Sequence, residues 1–343
     1  MLFYILFIIV LFVLFLLANC NCYSKNVFVI YSCILLLLVA IFRFDVGYDY
    51  QAYYLSATSL YEDFDEHYEL LSRLLIQLSR CVGIPCLVFI LFGIPTYLLM
   101  FFVCSKTKDF QLSFFGYVFL FLLDSFGLIR QALAMSIIMC AILCIYRKQL
   151  LLYILLCVVA SLFHTSALVM LPAYFIYHYI SFKFMFFLCL SIILCFNKLM
   201  SFLLDNDIYT YYLNNIEVFR GGSFIRWFYI CIYLILYVLS YSNNSLKYTR
   251  SSFVVILPSL IFPFLFGGAL GGRVSSYFYL FFLFLIPQIL SYCNKYIRFF
   301  FMLIICIYFF GILYISDRLM DKPAYTPYIT IFQVDLNCPK FKS

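Results

Sequence analysis

Charge is what this chain of 343 residues has least of: Asp, Glu, Lys and Arg make up 11% of it, against 67% hydrophobic residues. A soluble domain carries about 25% charged residues because its surface faces water, so most of this surface must face lipid. Glycine and proline are few, at twelve and nine, which excludes collagen-like and low-complexity chains. Strict period-two alternation over ten-residue segments is missing, and with it the pattern of an outer-membrane barrel. The fifteen cysteines show no paired C-x-x-C spacing and read as small core hydrophobes rather than metal ligands or disulfides. Residues 1–17 lack a basic leading region and a small-residue cleavage site, and a second apolar run begins at Val27. The first segment is therefore expected to be a retained spanning helix rather than a signal peptide.

An all-α, polytopic membrane protein remains. A span needs about 20 apolar residues, with a range of about 17–25. Cutting the chain at its charges and turn residues gives about twelve candidate spans. They cover residues 2–17, 27–42, 84–104, 110–123, 131–146, 150–162, 166–180, 184–196, 227–241, 252–266, 276–291 and 299–315. Alternate connections differ sharply in charge. The short set holds Lys25, Lys106, Lys108, Arg147, Lys148, Lys183, Lys247, Arg250, Lys295 and Arg298 against one acid, Asp109. The other set is longer and holds fourteen of the 15 acids. Short basic loops stay in the cytoplasm, so the second set and both termini are expected outside. The net charge of +7 thus belongs to cytoplasmic anchors and implies no nucleic-acid partner. No repeat or linker divides the chain, so residues 1–343 are expected to form one integral domain. Residues 43–83, 197–226 and 316–343 are its outer loops and tail, the first of them including interfacial helices.

Ionisable groups at the edge of a span are costly and usually meet a partner, water or substrate. The outer ones are Arg43, Asp45 and Asp49 around Gly47, which permits a turn; Arg130 with Gln131; His164, where two spans meet; Arg220 beside Gly221; and Arg273, after a glycine-rich stretch. Taken singly, each has a plain reading as a solvated loop, a snorkelling Arg, a structural His or an inter-helix turn. The glycine-rich stretch lacks the Lys-Ser/Thr pair of a phosphate-binding nucleotide loop. The basic-loop topology, however, places Arg43, Arg130, His164, Arg220 and Arg273 on one face. Several guanidinium forks there suit an anionic lipid-linked group, since each binds phosphate oxygens two at a time.

An ordered series carries a resemblance: Arg43-x-Asp45-x-Gly47-x-Asp49-Tyr50-x-x-Tyr53, Glu69, Arg130-Gln131-x-x-Ala134, His164-x-Ser166-Ala167, Gly272-Arg273 with Tyr277, and Tyr325-x-Pro327-Tyr328. In this series the chain resembles the EpsG family of bacterial polysaccharide polymerases, close to the Wzy-type O-antigen polymerases. The resemblance implies a GT-C-like glycosyltransferase of the inner membrane. It would join oligosaccharide repeat units carried on undecaprenyl diphosphate at the periplasmic face, without nucleotide, metal or other cofactor. A chain-length regulator, a flippase and membrane lipid are the implied partners. Arg130 and Arg273 would neutralise the diphosphate, with Arg43 or Arg220 assisting. His164 or an acid, Asp49 or Asp45, would be the general base, His164 being favoured because imidazole titrates near neutrality. Glu69, Gln131, Tyr50, Tyr53, Tyr277, Tyr325 and Tyr328 complete the substrate-binding set. The alternatives are a ligase using the same donor and a flippase for the lipid-linked unit, which would show paired repeats and interrupted helices.

The topology has a direct check. A reporter enzyme active only outside the cytoplasm is expected to be active when fused at Asn214 and silent when fused at Asn294; the reverse pair of activities would invert the assignment.

Overall fold

The structure, a computed structural model, describes residues 1–19, 25–58, 68–204, 222–241, 249–266, 270–319, 323–334 and 341. Among the described residues it is helical, with one two-residue strand pair and the connecting turns between helices. The first half runs α1 (Leu2–Asn19), α2 (Lys25–Ile41), β1 (Arg43–Phe44), α3 (Tyr50–Ser56), α4 (Leu70–Val82), α5 (Leu87–Ser105), α6 (Phe110–Leu120), α7 (Leu122–Gly127), α8 (Ile129–Tyr146) and α9 (Leu150–Ser161). A 3₁₀ turn (Thr165–Met170) leads to α10 (Ala173–Tyr179), α11 (Phe182–Leu204), α12 (Gly222–Tyr241) and α13 (Thr249–Ile256). A second 3₁₀ turn (Leu257–Leu260), α14 (Phe262–Leu265), α15 (Gly272–Tyr279), α16 (Phe282–Leu290), α17 (Lys295–Leu319) and β2 (Ile329–Thr330) complete it.

In lipid a helix satisfies its own backbone, which is why an apolar chain of this kind folds as helices. Among the described residues five helical stretches are long and apolar enough to cross a membrane: Leu87–Ser105, Ile129–Tyr146, Phe224–Tyr241, Gly272–Leu290 and Lys295–Arg318. At about 1.5 Å per residue, nineteen residues reach about 28 Å, close to the hydrocarbon thickness. Six shorter apolar helices accompany them. Two of the expected runs are broken by proline, which lacks the N–H a helix needs and clashes with the preceding turn. Residues 166–180 become a 3₁₀ turn, Pro172 and α10, and residues 252–266 divide at Pro258 and Pro263.

The centre of the bundle is α8, packed between α5 and α9, together with the α15–α16 run. By contrast, α1 is apolar on all sides and exposes Leu2, Ile5, Leu6, Ile9, Val10, Phe12 and Val13, as a lipid-facing helix should. Helix α4 is amphipathic in an inverted sense. Its small face, Ser72, Ile76 and Ser79, is buried on the protein, while Leu70, Leu74, Leu78 and Val82 form an exposed row at i, i+4 spacing. Ser72 Oγ donates to the Phe163 carbonyl at 2.8 Å, and Ser79 Oγ to Ile84 O at 2.8 Å. An exposed leucine row of this kind suits a helix lying at a membrane interface.

The outer loop after α2 is held by Arg43, which is 2% exposed. Its Nε donates to Val46 O at 3.2 Å, its Nη2 to Phe126 O at 3.2 Å and its Nη1 to Ala40 O, while the rings of Phe89 and Phe126 flank it at 5.2 and 4.9 Å. The guanidinium therefore ties the end of α2, the loop and α7 together. Gly47, at φ +117°, lies flat on the backbone of residues 126 and 127: a Cβ there would sit 2.2 Å from Phe126 O. Its N–H donates to Ala324 O at 2.7 Å, and Arg43 pairs with Thr330 across β1 and β2, so the tail closes over the same loop.

Replacing Arg43 with Met keeps length and apolarity but orphans up to three carbonyls, at about 1–3 kcal/mol each. Thermal unfolding in detergent is expected to show a large fall in Tm for Arg43→Met and a smaller one for Arg43→Lys. An unchanged Tm in both would remove the clamp from the account of the fold.

Candidate functional site

At the N-terminal end of α8 a single carboxylate joins three elements. Glu69 is the N-cap of α4. Its Oε2 accepts from Arg130 Nη1 at 2.5 Å, and its Oε1 bonds His164 Nδ1 at 3.1 Å, the Thr165 backbone N–H at 3.0 Å and Thr165 Oγ1 at 3.2 Å. Arg130 opens α8, and His164 leads into the 3₁₀ turn after α9 in extended conformation, φ −157° and ψ 112°. That break in the helical path lets the imidazole reach Glu69. The side chains are 16–18% exposed, open enough for a ligand and closed enough for the charges to matter.

Partial burial pushes the Glu69 carboxyl up, but the hydrogen bonds from His164 and from Thr165 N, and then the Arg130 charge, outweigh it and bring the group down to about 2. An ionised carboxylate only accepts. His164 Nδ1 must therefore carry its proton toward Glu69, and the neutral ring then presents Nε2 as an acceptor. Nε2 has no protein partner among the described residues.

Arg130 is held from both sides. Its Nε donates to Tyr53 OH at 3.1 Å, and its guanidinium carbon lies 4.6 Å from the Tyr68 ring and 5.7 Å from the Tyr53 ring. Burial lifts the Tyr53 hydroxyl to about 12 although Arg130 opposes it, so Tyr53 stays a neutral acceptor. Arg130 keeps N–H groups that no described residue takes up. The next residue, Gln131, donates from Nε2 to the Arg273 carbonyl at 2.9 Å and to Ser276 Oγ at 2.7 Å, docking the start of α15 beside α8. Its Oε1 is buried without a partner. Arg273 is exposed, and its side chain has no protein partner among the described residues. Asp49 lies within the electrostatic reach of both Arg273 and Arg130; burial nonetheless raises its carboxyl above the ordinary value. Tyr277 is fully buried and accepts from Ser166 Oγ at 3.3 Å. Among the described residues no three His, Cys, Asp or Glu side chains converge as a metal site.

The sequence profile of the EpsG family matches residues 26–330, most of the chain. The chain belongs to the EpsG family. No curated protein and no solved structure is significantly similar to it. EpsG membership brings a polysaccharide-polymerase-like, glycosyltransferase-like function at the level of the family, and the apolar helices make this EpsG member a membrane protein.

Of the residues singled out from its sequence, this EpsG protein brings Asp49, Tyr53, Glu69, Arg130, Gln131, His164, Arg273 and Tyr277 to one place. Four others are engaged elsewhere. Arg43, expected to assist at a diphosphate, is spent on backbone carbonyls. Tyr50 stacks on Phe89 at 4.0 Å and donates to Arg43 O at 3.3 Å. Tyr325 is buried, and its carbonyl accepts from Tyr4. Tyr328 stacks on Phe3 at 3.7 Å and donates to Val39 O at 2.6 Å. Among the described residues these four make contacts within the fold rather than at the Glu69 cluster. Asp45 is 4% exposed at φ +49° and already engaged within the protein, while Arg220 lies outside the described residues. Sequence reasoning missed Tyr68, Thr165 and Ser276. Thr165 was marked only by its place after His164.

Folding lowers the Glu69 pKa from 4.5, so its stabilisation is complete above about 4.5 and is withdrawn as the pH falls toward about 2. Melting temperature followed from pH 6 to pH 2 is expected to drop in that window by more for wild type than for Glu69→Gln. Equal pH profiles would mean that the carboxylate is not held by its partners.

Proposed function

We propose that this protein is an inner-membrane polysaccharide polymerase, crossing the bilayer about twelve times as one GT-C-like domain with both termini periplasmic. It joins undecaprenyl-diphosphate-linked repeat units on the periplasmic face. The observation that carries the reading is the Glu69 carboxylate shared by Arg130 and His164, with Arg273 docked alongside through Gln131. A base and two cations with unspent N–H groups are what transfer from a diphosphate-activated sugar requires.

In the reaction the bond from the sugar C1 to the diphosphate oxygen breaks and its electron pair leaves on the diphosphate. A bond from C1 to the acceptor hydroxyl oxygen forms, and that hydroxyl's proton passes to His164 Nε2 and then to solvent. Arg130 and Arg273 lower the barrier by meeting charge as it develops on the leaving group, an effect worth about 2.7–4 kcal/mol per contact in comparable oxyanion sites. Glu69 touches neither reactant; it fixes the His164 tautomer and stabilises the imidazolium that forms, as the acid of a Ser-His-Asp triad does. Asp49, set against both arginines, is the second candidate base. A chain-length regulator and a flippase are the partners that fit this step.

The test is surface polysaccharide resolved by size in a strain deleted for this gene, complemented at matched membrane levels. Wild type is expected to restore the ladder, and Arg130→Ala, His164→Ala and Arg273→Ala to leave single repeat units, with rates lower by about 10²–10³ for each arginine. A ladder that persists unattached on its lipid carrier in the deletion strain would make the protein a ligase. Loss of even single units from the surface would make it a flippase.

A further inference from the structure

Between α5, α7 and α8 lies a cavity that takes no part in the chemistry described above. Its walls include Phe89, Phe92 and Tyr97 of α5, Ser125 of α7 and Ala132 of α8, and the Arg43 side chain closes one side. There is room in it for about one guest of the size of water. Among the described residues no acidic side chain lines it, so nothing at the wall repels an anion.

The wall that matters is Arg43. A guanidinium carries five N–H donors and stays charged in a protein. Arg43 gives one donor each to the carbonyls of Val46, Ala40 and Phe126, and among the described residues it makes no further hydrogen bond and no ion pair. Two N–H groups are therefore unspent on a side chain that is 2% exposed. Its flat faces are covered by the rings of Phe89 and Phe126, at 5.2 and 4.9 Å, and Phe89 is itself part of the cavity wall. The hydroxyls nearby have already placed their protons. Ser125 Oγ donates to Leu122 O at 2.6 Å, which leaves Tyr97 OH as the donor to Ser125 Oγ at 2.7 Å. Thr96 Oγ1, also at the wall, donates to Phe92 O at 2.7 Å. Of the side chains that line the cavity, only the cation has donors left to offer.

We propose that this cavity binds a small monovalent anion, chloride under cellular conditions, as the counter-ion of Arg43. Burying a charge is costly unless it is paired as well as hydrogen-bonded. Carbonyl dipoles and a water molecule can take up donors, but they leave the charge without an opposite one; a halide answers both needs. The size of the cavity excludes phosphate, acidic sugars and lipid headgroups, each built of several heavy atoms. A halide is little larger than water and only accepts, which suits a wall whose hydroxyl protons are all placed. Because Arg43 ties the end of α2, the loop behind it and α7 together, an anion bound to it strengthens that junction, and its occupancy is readable as stability. The site shares no residue with the Glu69 cluster and does not depend on the reaction proposed above.

The experiment melts the full-length protein in detergent while potassium chloride replaces potassium gluconate at constant ionic strength. Tm is expected to rise saturably, by about 2 °C for a hundredfold increase in chloride centred on half-saturation. Bromide is expected to act as chloride does, and sulfate, too large for the cavity, to have no effect. Ala132→Val adds two methyl groups at the wall and is expected to keep the gluconate Tm of wild type but to lose the halide response. A second measurement needs no variant: crystals of wild type grown in bromide are expected to show an anomalous-scattering peak beside the Arg43 guanidinium. A halide response shared by wild type and Ala132→Val would reduce the effect to general salt action and overturn the site. So would a wild-type Tm indifferent to chloride, or density in the cavity without anomalous signal, which would make the guest a water.

Discussion

The buried guanidinium of Arg43 is the constraint from which this end of the bundle follows. A charge that deep must have its donors met, and the protein meets them with carbonyls from α2, from the loop behind it and from α7. Those three elements then have little freedom relative to one another. The loop can only turn at Gly47, because the backbone of Phe126 occupies the space a side chain would need. Tyr48 thereby packs on Gly127, and the tail is drawn in by its bonds to the same loop.

Glu69 performs the corresponding task for the chemistry. One carboxylate takes donors from α8, from the 3₁₀ turn and from the side chain between them, so the distance from Arg130 to His164 is set by a single small anion rather than by packing of long helices. Because its partners hold it ionised across the physiological range, it gives His164 a defined tautomer and leaves Arg130 with unspent donors. Gln131 extends the same economy to Arg273 by bonding its main chain rather than its charge.

Much of this was legible beforehand and some was not, for physical reasons. Composition alone required membrane helices, and the basic loops gathered Arg130, His164 and Arg273 on one face before any contact was known. Glu69 was marked only by family resemblance. In a segment that also contains Glu62, Asp63, Asp65 and Glu66, nothing local separates a carboxylate that bridges an arginine and a histidine from one that is solvated. The carbonyl partners of Arg43 were not legible because a guanidinium fork fits three carbonyls as readily as a phosphate. Tyr50, Tyr325 and Tyr328 were misread because a tyrosine that stacks on the core and one that stacks on a sugar have the same local sequence. The broken run at Pro172 carried its signal openly, but hydropathy weighs a proline only as a mild interruption, whereas the backbone loses a donor there.

The inverted amphipathicity of α4 bears on where the reaction takes place relative to the lipid. Its row of Leu70, Leu74, Leu78 and Val82 is exposed, as suits a helix lying at a bilayer surface, and Glu69 caps the start of the same helix. The height of the carboxylate is thus referenced to the bilayer surface as well as to the bundle. In the proposed reaction a polyprenyl carrier is moored by the same surface, since its tail is dissolved in the acyl region and its headgroup rides at the boundary. Under that proposal headgroup and carboxylate would move together when the bilayer thickens or thins, and register between enzyme and substrate would be kept by the solvent they share.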